Sequence, residues 1–118
     1  MPPSPIPPSG DITPEQALNL VEHAPLASEF LKVMGQENRL TILCHLVGGE
    51  KSVTDLERLL SARQAAISQQ LARLRMEGLV NFRREGKAIY YRLSDGRAAR
   101  IIEVLHDQFC GDDMRGAR

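Results

Sequence analysis

The sequence predicts a mainly α-helical domain with one small β-hairpin and a closing helix, in the order α-α-α-α-β-β-α. Three observations carry that prediction. Apolar residues recur at helical spacing through the first two thirds of the chain, as in Leu40, Leu43, Cys44 and Val47 at i, i+3, i+4, i+7. Between Gly78 and Leu93 the period changes to two, and after Ser94 the helical period returns. A chain of 118 residues has room for one core.

Five prolines in the first eight residues predict a disordered tail over residues 1–12. The folded domain is expected over 13–111, with a C-terminal tail over 112–118. Thr13-Pro14-Glu15-Gln16 starts the first helix: Thr13 caps, Pro14 suits the first helical position, and Gln16 completes a capping box. That helix continues through Leu18, Val21 and Glu22 and breaks at Pro25, and a second piece runs from Leu26 to Met34. The next helix spans about Glu37 to Val47, its core stripe being Leu40, Leu43, Cys44 and Val47, and Gly48-Gly49 ends it. Ser52 caps a short helix, Val53 to Leu60, with Val53, Leu56 and Leu60 on one face. Ser61 caps a further helix, about Ala62 to Glu77, whose core stripe is Ile67, Leu71 and Leu74. Leu79 to Arg84 and Ala88 to Leu93 alternate as strands, joined by Glu85-Gly86-Lys87. Ser94 caps a last helix from Asp95 to about Cys110.

Formal net charge is zero, but its distribution is uneven. Between Ser61 and Leu93 stand seven basic residues against the two acids Glu77 and Glu85. A basic segment in an otherwise acidic chain fits a localised polyanion-binding face; chance clustering on a solvated surface is the alternative. Residues 1–9 lack the basic and apolar regions of a secretory signal, and no apolar run approaches the ~20 residues that cross a bilayer. A cytoplasmic location and no membrane partner are therefore expected, and two cysteines there stay reduced. There is no Gly-rich phosphate loop, nucleophile elbow or metal-ligand cluster, so an enzyme is not expected, nor a cofactor.

Two short helices joined by a tight turn and followed by a basic hairpin form the winged helix-turn-helix pattern. With Ile67, Leu71 and Leu74 inward, Ala65, Ser68, Gln69, Ala72 and Arg73 point outward and Gln64 lies at the edge of that face. Gln pairs with adenine, Ser with either partner, and Ala leaves room for a thymine methyl. Arg83, Arg84 and Lys87 at the hairpin fit phosphate or minor-groove contacts. The competing reading is an amphipathic helix with a polar outside, in a protein-interaction module that does not read DNA.

Residues 38–43 (Asn-Arg-Leu-Thr-Ile-Leu), 66–75, 77–80 and 84–93 together resemble the ArsR/SmtB family, over about Leu26 to Cys110. The resemblance implies a repressor that binds pseudo-palindromic operator DNA as a homodimer built largely from its first and last helices. It places Gln64, Ala65, Ser68 and Gln69 at base-reading positions and makes the hairpin around Lys87 the wing.

Family members respond to a ligand, most often a metal. Both familiar metal sites are missing: residues 52–56 hold no thiol, and Arg97, Gln108 and Gly111 stand at expected ligand positions in the last helix. Cys44 and Cys110 are the only cysteines, one on each of two helices. That arrangement resembles the persulfide-sensing, SqrR/BigR-like branch, which implies that reactive sulfur species join the two thiols through a di- or polysulfide bridge and weaken operator binding. A disulfide needs Cα atoms within ~7 Å, each added sulfur lengthens the bridge by roughly 2 Å, and helices pack at ~8–10 Å. The chemistry needs thiolate character; Cys110 ends a helix, which disfavours it, so a cation from elsewhere is required. Besides a general oxidant acting as the signal in place of sulfur species, two other readings stay open. Cys44 is a small buried apolar residue and Cys110 an incidental surface thiol; or Cys44, Cys110 and His106 hold a metal or haem, His106 and Cys110 sharing a helical face.

Overall fold

The computed structural model describes residues 12–94 and 96–111. The tails expected over 1–12 and 112–118 thus lie outside the described residues, apart from Ile12. These residues fall into two compact units, one ending at Leu31 and the other beginning at Lys32.

In the first unit, α1 (Pro14–Asn19) starts on the expected capping box. Thr13 Oγ1 accepts from the Gln16 N–H at 3.1 Å, and Gln16 Oε1 accepts from the Thr13 N–H at 2.8 Å. The chain tightens into a 3-10 turn (Leu20–His23) and enters α2 (Ala24–Met34). The break therefore falls at residues 20–23 rather than at Pro25, which occupies the first turn of α2, where a missing N–H costs no helical bond. No residue from Ile12 to Leu31 is buried.

The second unit holds the core. It comprises the end of α2, then α3 (Glu37–Val47), β1 (Lys51–Ser52), α4 (Val53–Leu60), α5 (Gln64–Met76), β2 (Val80–Glu85), β3 (Ala88–Leu93) and α6 (Gly96–Phe109). Asp95, the expected first residue of the last helix, lies outside the described residues. Val33, Met34, Ile42, Leu43, Leu46, Leu56, Ile67, Leu71, Leu74, Leu79, Val80 and Ala98 form the buried apolar set. The α5 stripe is as expected; the α3 stripe is not. Its core row is Ile42, Leu43 and Leu46, whereas Cys44 and Val47 are exposed and Leu40 is half-buried. Helix α3 is apolar around more than half its circumference, so one row enters the core while the Leu40–Cys44–Val47 row faces α6.

Sheet order is β1-β3-β2. The expected hairpin is present, Val80 opposite Leu93 and Glu85 opposite Ala88. Its turn narrows to Gly86-Lys87, with positive φ at Gly86 (63°), the first central position, as in a type II′ turn. The third strand, β1, was not expected: Lys51 and Ser52 pair with Tyr91 and Tyr90. This strand adds a third partner at the middle of β3, beside a ribbon that is marginal alone. Ser52 caps α4 as expected, in a capping box with Asp55 (3.0 Å both ways).

Ser61 does not cap α5. It ends α4 in the left-handed region at φ 51°, its N–H bonded to the Glu57 carbonyl, and Arg63 takes the N-cap position without a side-chain bond. A serine side chain is strained in that conformation, at a cost of roughly 1–2 kcal/mol relative to glycine. Ser61→Gly should raise stability by about 0.5–1 kcal/mol after the added freedom of the unfolded chain is deducted. A urea midpoint that falls instead would show that the Ser61 side chain contributes more than its backbone costs.

Candidate DNA-reading surface and thiol groove

Helix α4, the left-handed turn at Ser61 and helix α5 form a helix-turn-helix, with β2 packed beside α5. Because Ile67, Leu71 and Leu74 anchor α5 inward, Gln64, Ala65, Ser68, Gln69 and Ala72 are all exposed on its opposite face, and Arg73 is half-exposed. Arg73 lies 3.6 Å from Glu77 one turn on. Small and amide side chains therefore leave a face that a DNA groove can approach closely.

The hairpin carries the basic end of that surface. Arg84 and Lys87 are exposed. Arg83 is engaged: its Nε donates to both Glu50 carboxylate oxygens at 3.0 Å and Nη1 donates to Glu85 at 2.6 Å. Arg92 approaches Glu50 at 3.8 Å. The hydrogen bond from Arg83 is the main reason the Glu50 carboxyl is held below its ordinary range. Arg83 also lies over the Tyr90 ring at 4.8 Å, and Arg75 over Phe82 at 4.4 Å, so two hairpin aromatics orient guanidinium groups. Glu50 carried no sequence signal, standing 33 residues from Arg83.

A second feature lies between α3 and α6, a groove of about 910 Å³. Cys44 from α3 and Cys110 just beyond α6 line it with apolar neighbours that include Leu40, Val47, Ile102 and Phe109. Both cysteines are exposed free thiols, which removes the reading of Cys44 as a buried core residue. Partial burial, and then the proximity of Cys110, push the Cys44 thiol above its ordinary value. The acidic side chains Glu103 and Asp107 line the groove beside His106, so the cation expected to favour a thiolate does not come from a Lys or Arg of that lining. His106 lines the groove and its carbonyl accepts from the Cys110 N–H at 2.7 Å. Among the described residues, no group of three or more His, Cys, Asp or Glu side chains is placed to hold a metal ion. No helix among them is long and apolar enough to cross a membrane.

Fold and surface together define a winged helix-turn-helix regulator of the kind that binds DNA. Residues 36–81 match the family described as bacterial regulatory protein, arsR family. The chain is 47% identical over 83 residues to the biofilm growth-associated repressor of Agrobacterium fabrum, covering 70% of this chain and 71% of that protein. Among solved structures, reduced HlyU from Vibrio cholerae aligns with a TM-score of 0.73 at 41% identity, covering 78% of this chain and 97% of that one. The transcriptional repressor BigR from Xylella fastidiosa aligns with a TM-score of 0.73 at 36% identity, covering 84% and 98%. The chain belongs to the arsR family of transcriptional regulators.

Proposed function

We propose that this chain is a cytoplasmic, homodimeric repressor, released from a pseudo-palindromic operator when reactive sulfur species bridge Cys44 and Cys110. The observation that carries the reading is the pair of free thiols lining one groove, one on α3 and one at the end of α6. The name of one solved relative, reduced HlyU, distinguishes a redox state for that protein. Exposed apolar side chains on the first and last helices, Leu18 on α1 and Val104 and Phe109 on α6, suit the homodimer that the family resemblance implies.

A small persulfide serves as both sulfur donor and oxidant. The Cys44 thiolate takes the outer sulfur of one persulfide and a thiol leaves. Cys110 takes two sulfurs in the same way, and two more thiols leave. The Cys44 persulfide anion then attacks the sulfur bonded to Cys110 Sγ and expels hydrogen sulfide, which carries away the two electrons. The product is a tetrasulfide, longer by roughly 4 Å than a disulfide. Intact mass tests the chemistry: persulfide should add two sulfurs and remove two hydrogens with both thiols lost, and hydrogen peroxide should not join them. Unjoined thiols under both reagents would end the sulfur reading.

On the DNA side, Gln64, Ala65, Ser68, Gln69 and Arg73 read bases, while Arg84, Lys87 and Arg83 (the last by exchanging Glu50 for phosphate) hold the backbone. Gln69→Ala should weaken binding to a duplex selected from a random pool by about 1–3 kcal/mol and leave binding to unselected DNA nearly unchanged. Lys87→Ala should weaken both and lower the salt slope by about 1. Equal losses on all DNA for Gln69→Ala, or an unchanged slope for Lys87→Ala, would reassign the residue concerned.

A further inference from the structure

We infer that Arg39, acting through Gln70, is the positioning residue that couples the two thiols to the aim of α5; this rests on the bridged-thiol release proposed above. Helix α3 packs against α6 on its thiol side and against α5 on its core side. Arg39 stands in the first turn of α3 and forms three hydrogen bonds. Its N–H donates to Gln36 Oε1 at 2.9 Å, which caps the helix. Its Nε donates to the Val33 carbonyl at 2.7 Å, and its Nη1 donates to Gln70 Oε1 at 3.2 Å. Gln70 adjoins Gln69 on α5 and is half-buried, as is Arg39.

The planar guanidinium fixes the direction of both side-chain bonds at once, which a lysine ammonium cannot do. Cys44 lies five residues further along α3, a rise of ~7.5 Å, so a bridge that moves Cys44 relative to α6 moves Arg39 with the same rigid helix. Apolar contacts between α3 and α5 are non-directional and tolerate sliding. The Arg39–Gln70 bond is directional and already at the long end of its range, so a displacement of a few tenths of an ångström removes it. Helix α5 then loses its polar tie to α3 while its apolar stripe stays buried, and its reading face turns without unfolding.

The test bridges the thiols chemically. Dibromobimane alkylates both sulfurs, two C–S bonds form and two bromides leave, whatever signal the protein meets in its cell. Affinity for a duplex selected by the reduced protein is measured before and after bridging, with a thermal melt to show folding. Bridging should lower wild-type affinity about tenfold or more and Gln70→Leu affinity by less than roughly threefold. Gln70→Glu, which keeps the acceptor, should respond as wild type does. Arg39→Lys, which keeps the charge without the fork, should lose the response as Gln70→Leu does. An equal drop in wild type, Gln70→Leu and Arg39→Lys would overturn the inference, as would a bridged wild type that still binds. Release by dibromobimane but not by persulfide would instead sink the sulfur reading and leave the coupling standing.

Discussion

Cys44→Ser and Cys110→Ser chains should bind the selected duplex as the parent does, and both should stay bound after a persulfide treatment expected to release the parent. The argument is one of magnitudes. Both thiols are exposed, so replacing sulfur by oxygen should change stability by no more than about 0.5 kcal/mol. Release requires a coupling of roughly 5–150-fold between the thiol state and DNA affinity, and removing either sulfur removes all of it. The pH dependence follows from the Cys44 thiol. Partial burial, then the nearby Cys110, raise its pKa above the ordinary 9.0. Thiolate is the attacking form, so the rate of sulfur transfer to Cys44 should rise about tenfold per pH unit through neutrality and still be rising at pH 9. Fluorescence anisotropy of a labelled duplex reads release, and mass spectrometry at several pH values reads the rate. Normal release by either serine variant would end the two-thiol mechanism; a rate that levels off below pH 8 would mean that a cation reaches Cys44.

What the sequence showed and what it hid divide along the separation of the interacting residues. Ile67, Leu71 and Leu74 repeat on one face of a helix whose other residues are mostly polar, so their burial followed from spacing alone. Helix α3 has apolar residues on two faces, and periodicity could not choose between them; it placed Cys44 in the core, whereas that row faces a groove. Ser61 reads as a helix cap by residue type, but only the tertiary path through the turn sets its φ of 51°. Two residues cannot show a period, so β1 was invisible until Tyr90 and Tyr91 came beside it. The candidate site divides likewise. The outward face of α5 is a local property, while the partnerships of Arg83 with Glu50 and of Arg39 with Gln70 span 33 and 31 residues. That the thiols occupy two helices is written in the sequence. That the helices bring them to one groove is a property of the packing.

Leu71→Ala should cost about 2–5 kcal/mol, which is a large part of the 5–15 kcal/mol that holds a typical small domain folded. Leu71 has no exposed surface and is the middle anchor of α5, flanked by Ile67 and Leu74. Alanine is the best helix former, so the loss comes from the cavity and the missing apolar burial and not from local propensity. Leu71→Met, close in volume, should cost less than about 1.5 kcal/mol and separates packing from mere substitution. Urea unfolding of the reduced protein measures both. The same residue also tests what aims the DNA-reading face. If the apolar stripe fixes α5 in place, the alanine variant should lose affinity for the selected duplex even at temperatures where it is folded. The methionine variant should keep that affinity. A cost below about 1 kcal/mol for Leu71→Ala would mean that the site collapses around the deletion.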